Sequence, residues 1–157
     1  LVEAGIERIV VVTKRELTGH LKGYPNVEIA INENGEMISS IKVGFRALSE
    51  DEGGRMIVLG DQPGISEELI STLVERFDGT MIVSPVCGGK RRHPLIIPLE
   101  YAEEILLLDE REALRDFLHR HKEEIDDVDI EGDCFMFKDV DTLEDYKRMK
   151  AALNDRN

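Results

Sequence analysis

Met56-Ile57-Val58-Leu59-Gly60-Asp61-Gln62-Pro63, residues 56–63, is an apolar run that breaks into a glycine, a carboxylate and a proline. The run reads as a buried strand, Gly60 as the point where the chain turns and Pro63 as a stiff exit. Just beyond, Ser66 reads as the N-cap of a helix with Glu67 and Glu68 in its first turn. Strand, turn and helix in that order build parallel α/β sheets, whose C-terminal strand edge is where ligands bind. Asp61 falls at that edge. From these residues alone two roles stand open for it: a metal-grade carboxylate, or a short polar side chain accepting backbone hydrogen bonds in a turn.

The pattern repeats on both sides. Residues 6–13, centred on Ile9-Val10-Val11-Val12, form the continuous β-branched run of a strand buried on two faces, and residues 27–31 a second strand. Ile38, Ile41, Phe45 and Leu48 recur at helical spacing, as do Leu69, Ile70, Leu73, Val74 and Phe77 in residues 66–77. The same reading predicts a helical turn at 14–21, strands at 55–59, 80–86 and 95–97, and helices at 99–107, 110–121 and 142–153. It also predicts short strands at 128–130 and 134–137. Leu1-Val2-Glu3-Ala4-Gly5 reads as a last helical turn closed by a C-cap glycine. Strands alternating with helices over short loops predict one α/β domain, residues 1–157: a doubly wound, Rossmann-like, mostly parallel sheet with helices on both faces.

At 157 residues the chain buries one core and not two. No stretch approaches the roughly 20 apolar residues of a membrane span. The net charge of −13 argues against nucleic acid, whose binding rests on Lys and Arg at phosphates, although a cation and a local basic loop can reverse the field inside one cleft. Lys90-Arg91-Arg92-His93 is such a loop, with a solvated basic turn as its plainer reading. Cys87 and Cys134 stand in unrelated contexts without CxxC spacing, so reduced thiols and a cytoplasmic location are expected, with Cys87 a small packed residue.

Three separated motifs fall in order: Gly60-Asp61-Gln62-Pro63, Gly88-Gly89-Lys90-Arg91-Arg92-His93-Pro94, and Asp139-Val140-Asp141-Thr142-Leu143-Glu144-Asp145-Tyr146. Together they resemble the MobA/MocA-like nucleotidyltransferases, which attach CMP or GMP to molybdopterin, and the cytidylyltransferase-type branch most. The resemblance covers nearly the whole chain, including Glu36-Met37-Ile38-Ser39-Ser40-Ile41-Lys42 and the helical stretch 111–121. The family's Leu-Ala-Ala-Gly-x-Ser-x-Arg-Met-Gly phosphate loop, with the first strand before it and the helix after it, is absent. Arg92 stands where relatives often carry Gly, and Leu143 where they carry Pro.

The resemblance implies a nucleotide-diphospho-sugar-transferase-like fold lacking its first strand and phosphate loop. It implies transfer of CMP, with GMP second, from a nucleoside triphosphate to molybdopterin with release of pyrophosphate, and a molybdoenzyme or chaperone as a protein contact. The alternative from these residues is a non-catalytic nucleotide- or cofactor-binding module. In such a transfer the acceptor's phosphate oxygen attacks the α-phosphorus, so the protein positions and neutralises rather than supplying a nucleophile. Asp61 is then the catalytic carboxylate and first Mg²⁺ ligand, and Asp141 the second, with helix capping by the Asp141-Thr142 segment as its competing role. Gly60, Gln62, Pro63, Ser39 and Ser40 are expected at the nucleotide, the two serines having capping as an equal alternative. Lys90, Arg91, His93 and Pro94 are expected at the acceptor.

Overall fold

β-Branched runs favour pleated backbone packed on two faces, and here they form two sheets. In the computed structural model, which describes residues 1–21, 23, 24, 26–48 and 53–154, β1 (Ile9–Thr13) pairs in parallel with β2 (Val27–Ile31). A second sheet holds β3 (Gly54–Ile57), β4 (Ile82–Cys87), β5 (Lys90–Arg91), β6 (Leu95–Pro98) and β7 (Ile125–Asp129). β6 lies antiparallel between β3 and β4, while β7 runs parallel along the other edge of β4. The sheet is therefore mixed, because the tight Gly88-Gly89 turn can return the chain only as an antiparallel strand. β3, β4 and β7 point the same way, so the loops after Ile57, Cys87 and Asp129 meet at one edge, together with the loop entering Leu95.

β5 and β6 are two halves of one returning strand. Val86 faces Arg91 but Val83 faces Ile96, so the register slips by two residues in between. The slipped residues include His93 and Pro94, joined by a cis peptide bond.

Alternation along the strands sends neighbours to opposite faces, and both faces are covered. Ile82, Leu95, Ile97 and Ile125 pack beneath Ile38, Ile41 and Phe45 of α1 (Met37–Ala47), Ile105 of α3 (Ala102–Leu107) and Phe117 of α4 (Leu114–Arg120). On the other face, Val83, Cys87 and Ile96 meet Leu69 and Leu73 of α2 (Glu67–Arg76) and Phe137. Ser66 caps α2 by accepting from the Leu69 N–H at 3.2 Å. Thr142 and Asp145 form a reciprocal capping box at the start of α5 (Leu143–Asn154). Gly5 N–H donates to Val2 O and Ile6 N–H to Leu1 O, the Schellman pairing that closes a helical turn.

Several expectations are corrected. Residues 134–137 are not a strand but a 3₁₀ turn, Cys134–Phe137, because the Asp133 carboxylate accepts from the Phe135 N–H at 3.0 Å and starts a turn. α4 begins at Leu114 and not at residue 110, since Asp109 folds Arg111 into a turn of the same kind. β3 ends at Ile57, two residues earlier than the apolar run suggests. Instead of two free thiols, Cys87 and Cys134 form a disulfide with Cα atoms 5.8 Å apart. Sequence spacing hid the pair: 47 residues separate them, but the β4–β7 ladder carries the chain back beside Cys87.

Among the described residues β1 pairs only with β2, and β3 only with β6, so each keeps an open edge. Both strands line one groove of about 1070 Å³, with Ile41 and Phe45 on its wall. Among the described residues no helix is long and apolar enough to cross a membrane.

Candidate active site

After Ile57 the chain leaves the sheet and folds through two successive turns, Gln62 N–H to Leu59 O and Ile65 N–H to Gln62 O, both at 3.4 Å. The Asp61 backbone is pinned, its carbonyl accepting from the Val140 N–H at 2.8 Å. Its side chain is exposed. The turn is thus built from backbone, and no hydrogen bond from a described residue is made to the Asp61 carboxylate, which leaves it open to a ligand.

Gln62 is 9% exposed and donates from Nε2 to Asp139 Oδ1 at 2.8 Å. Its Oε1 is buried without a partner, an acceptor for which the described residues supply no donor. Gly64 explains how the two segments come so close: a Cβ there would sit 2.9 Å from the Met136 backbone. The loop carrying Asp61 and the segment carrying Asp139 are consequently in direct contact.

His93 comes from the register slip. Its Nδ1 lies 3.4 Å from the Ile57 carbonyl, an acceptor, which puts the proton on Nδ1 and leaves Nε2 as an acceptor. Burial pushes its pKa down, while the Ile57 carbonyl and the Asp61 and Asp139 carboxylates pull the other way. His93, Asp61 and Asp139 therefore share one electrostatic environment. Pro94 is fully buried beside it.

The other expected site residues are placed differently. Lys90 is exposed on β5. Arg91 is bound to Asp127 of β7 by two hydrogen bonds, at 2.6 and 2.9 Å. Arg92, in the same loop, has a buried Nε without a partner among the described residues. Ser39 donates to Asn32 Oδ1 at 3.3 Å and Ser40 receives from Asn32 Nδ2 at 2.9 Å, so both hydroxyls brace the buried Asn32 at the end of β2. Ser40 and Gly60 nevertheless line the same groove. Asp141 is exposed beside the α5 cap, one residue past the Val140–Asp61 hydrogen bond.

Asp139 is the residue that sequence reasoning missed. The motif Asp139-Val140-Asp141 held two carboxylates, and the available signal was Gln62, a polar side chain in a tight loop that needs a buried partner. Among the described residues no group of three or more His, Cys, Asp or Glu could hold a metal by itself. Carboxylate oxygens and an unpartnered amide oxygen are the hard donors that a divalent cation takes when substrate phosphates complete its shell. The residues present fit such an ion.

Residues 1–125 match the profile of the MobA-like NTP transferase domain. The chain belongs to that family. Solved structures agree on the fold of this MobA-like domain. Rv0371c from Mycobacterium tuberculosis H37Rv superposes with a TM-score of 0.80 at 18% identity, covering 94% of this chain and 77% of its own. A nucleotidyl transferase from Methanothermobacter gives a TM-score of 0.81 at 19% identity over 99% of this chain and 77% of that one. The 4-diphosphocytidyl-2C-methyl-D-erythritol synthase from Anaerococcus prevotii gives 0.72 at 15% identity, over 95% and 79%. Rv0371c has also been solved in complex with manganese. No curated protein matches the chain.

Proposed function

We propose that this MobA-like domain is the main part of a divalent-metal-dependent nucleotidyltransferase that moves CMP, with GMP second, from a nucleoside triphosphate to molybdopterin and releases pyrophosphate. The observation that carries this reading is the open Asp61 carboxylate beside Asp139 and His93 at one sheet edge. Bound Mg²⁺ would neutralise the triphosphate and the leaving pyrophosphate. Asp61 is its first ligand, and Asp139 and Asp141 are the carboxylates at hand for a second. Gln62 orients Asp139, and Gly60, Pro63, Ser39 and Ser40 shape the nucleotide side. Arg91 is held by Asp127, so Lys90 is the freer cation for the acceptor's phosphate. His93, with Nε2 as acceptor and Pro94 behind it, can receive a hydrogen bond from a heterocyclic acceptor. CTP and molybdopterin rest on the likeness of the three motifs.

The open edges of β1 and β3 support a further part of this reading: the groove between them accommodates a strand that pairs with both and brings a phosphate-binding loop next to Gly60. On this reading, a form of the chain that carries such a strand and loop is the active one. The test is pyrophosphate release by such a form with CTP or GTP, molybdopterin and Mg²⁺, beside Asp61→Asn. Release that depends on Asp61 and prefers CTP is expected, and equal turnover by the variant removes Asp61 from the mechanism. The open groove also favours a second reading, a non-catalytic nucleotide-binding module, which predicts CTP binding without pyrophosphate release in the same assay.

A further inference from the structure

Cys87 is the last residue of β4, 1% exposed, and the chain turns away immediately at Gly88, whose φ of 61° suits glycine. Cys134 opens the 3₁₀ turn that follows β7 and is only partly buried. Their disulfide ties the segment 134–140 to the sheet at its first residue. Apart from it, that segment is anchored by buried Phe137, by Met136 against Gly64, and at its far end by Asp139 to Gln62 and Val140 to Asp61. Val140 follows Cys134 by only six positions, so the position of Asp139 depends on a short span held at both ends.

We propose that the Cys87–Cys134 disulfide is a redox-controlled clamp that positions Asp139 against the Asp61 loop, and that a cellular dithiol opens it. Cys134 is the partly exposed residue of the pair and so offers the sulfur that a reductant attacks, whereas Cys87 is sealed by the core. One thiolate of the dithiol attacks Cys134 Sγ. The S–S bond breaks, its electron pair leaves on Cys87 Sγ, and that sulfur takes up a proton. The second thiol of the reductant then attacks the mixed disulfide and releases Cys134 as a thiol, so the dithiol is oxidised by two electrons to its own disulfide. With the tie cut, residues 134–140 keep buried Phe137, the Met136–Gly64 contact and two hydrogen bonds to the Asp61 loop, and Asp139 loses its fixed place. Disulfides in reducing compartments are commonly of this transient, regulatory kind. The inference rests on the proposed metal site only for its binding readout.

The test compares the oxidised chain, the chain reduced with dithiothreitol and a Cys87→Ala/Cys134→Ala variant, by Mn²⁺ binding and by amide hydrogen exchange. Reduction is expected to weaken Mn²⁺ binding about tenfold or more. It should speed exchange in residues 135–140 while α2 and β4 stay protected, both effects reversing on reoxidation, and the variant should resemble the reduced chain in either condition. Unchanged exchange in 135–140, two titratable thiols in the air-purified chain, or loss of far-UV signal throughout on reduction would each overturn the clamp. If the oxidised chain binds no Mn²⁺ at all, the metal-site reading fails, and the exchange pattern still decides the clamp.

Discussion

The Gln62 carboxamide donates to Asp139 Oδ1 at 2.8 Å across 77 residues of sequence, and it does so from a position only 9% exposed. In the metal site proposed above, a buried amide that orients Asp139 would act through that carboxylate. Gln62→Leu is expected to lower Mn²⁺ affinity on the order of tenfold, as loss of an outer hydrogen bond does. Titration calorimetry checks this, and Gln62→Glu, which sets a second charge against Asp139, should weaken binding further. Undiminished affinity in both variants would show that Asp139 takes no part.

Gly64 permits the contact that brings Asp61 and Asp139 together. Gly64→Ala would place a Cβ 2.9 Å from the Met136 backbone, which neither segment can relieve by a rotamer change. A loss of about 1–3 kcal/mol in urea unfolding is expected, as for other overpacked sites. Gly60→Ala, where a Cβ meets nothing within 4 Å, is the control expected to fall within about 0.5 kcal/mol of the parent.

A pH dependence follows from the far face of the sheet. His121 lies between Glu124 at 2.6 Å and Glu104 at 2.9 Å, and Tyr101 donates to Glu124 at 2.7 Å. Burial lowers the His121 pKa, but the hydrogen bonds that its ring donates to both glutamates outweigh it and raise it above the usual value. Glu124 is held below its usual value by Tyr101 and His121. Glu104 falls below its own through His121 and Arg120, against the effect of burial. A raised histidine stabilises fully below its unfolded pKa of about 6.5 and loses that contribution as pH rises through its folded value. Lowered carboxylates stabilise above about 4.3 and lose that contribution as pH falls through their folded values. The network should therefore contribute most between these limits, and His121→Gln should flatten the curve of urea midpoint against pH. A parallel curve in the variant would remove the network from the pH response.

Among the described residues β1 and β3 each leave one edge unpaired, which bears on the stability of residues 1–157. With β1 and β3 open and a groove of about 1070 Å³ between them, a broad melt below about 45 °C and a tendency to self-associate are expected by calorimetry and light scattering. A sharp transition of a monomer well above that range would mean that the edges need no further partner.

Much of this was legible in residue order, and the limits have physical causes. Ile9-Val10-Val11-Val12 and the face Leu69, Ile70, Leu73 announced a strand and a helix because local periodicity survives folding intact. Ser66 and the Thr142–Asp145 box were readable because caps act within three residues. Cys87 with Cys134 and Gln62 with Asp139 were not, since each pair is made adjacent only by sheet pairing or loop contact across a long separation. Residues 134–137 failed for a smaller reason: an aspartate one step upstream captures a backbone N–H that an extended strand would have needed.

The two-residue slip between β5 and β6 has an evolutionary corollary. Because the returning strand is already split at His93 and Pro94, insertions or replacements there are absorbed without re-registering Val83 against Ile96. The loop around His93 and Pro94 can then be rewritten while the scaffold beneath is inherited unchanged, so descendants of one ancestor can diverge at this rim alone.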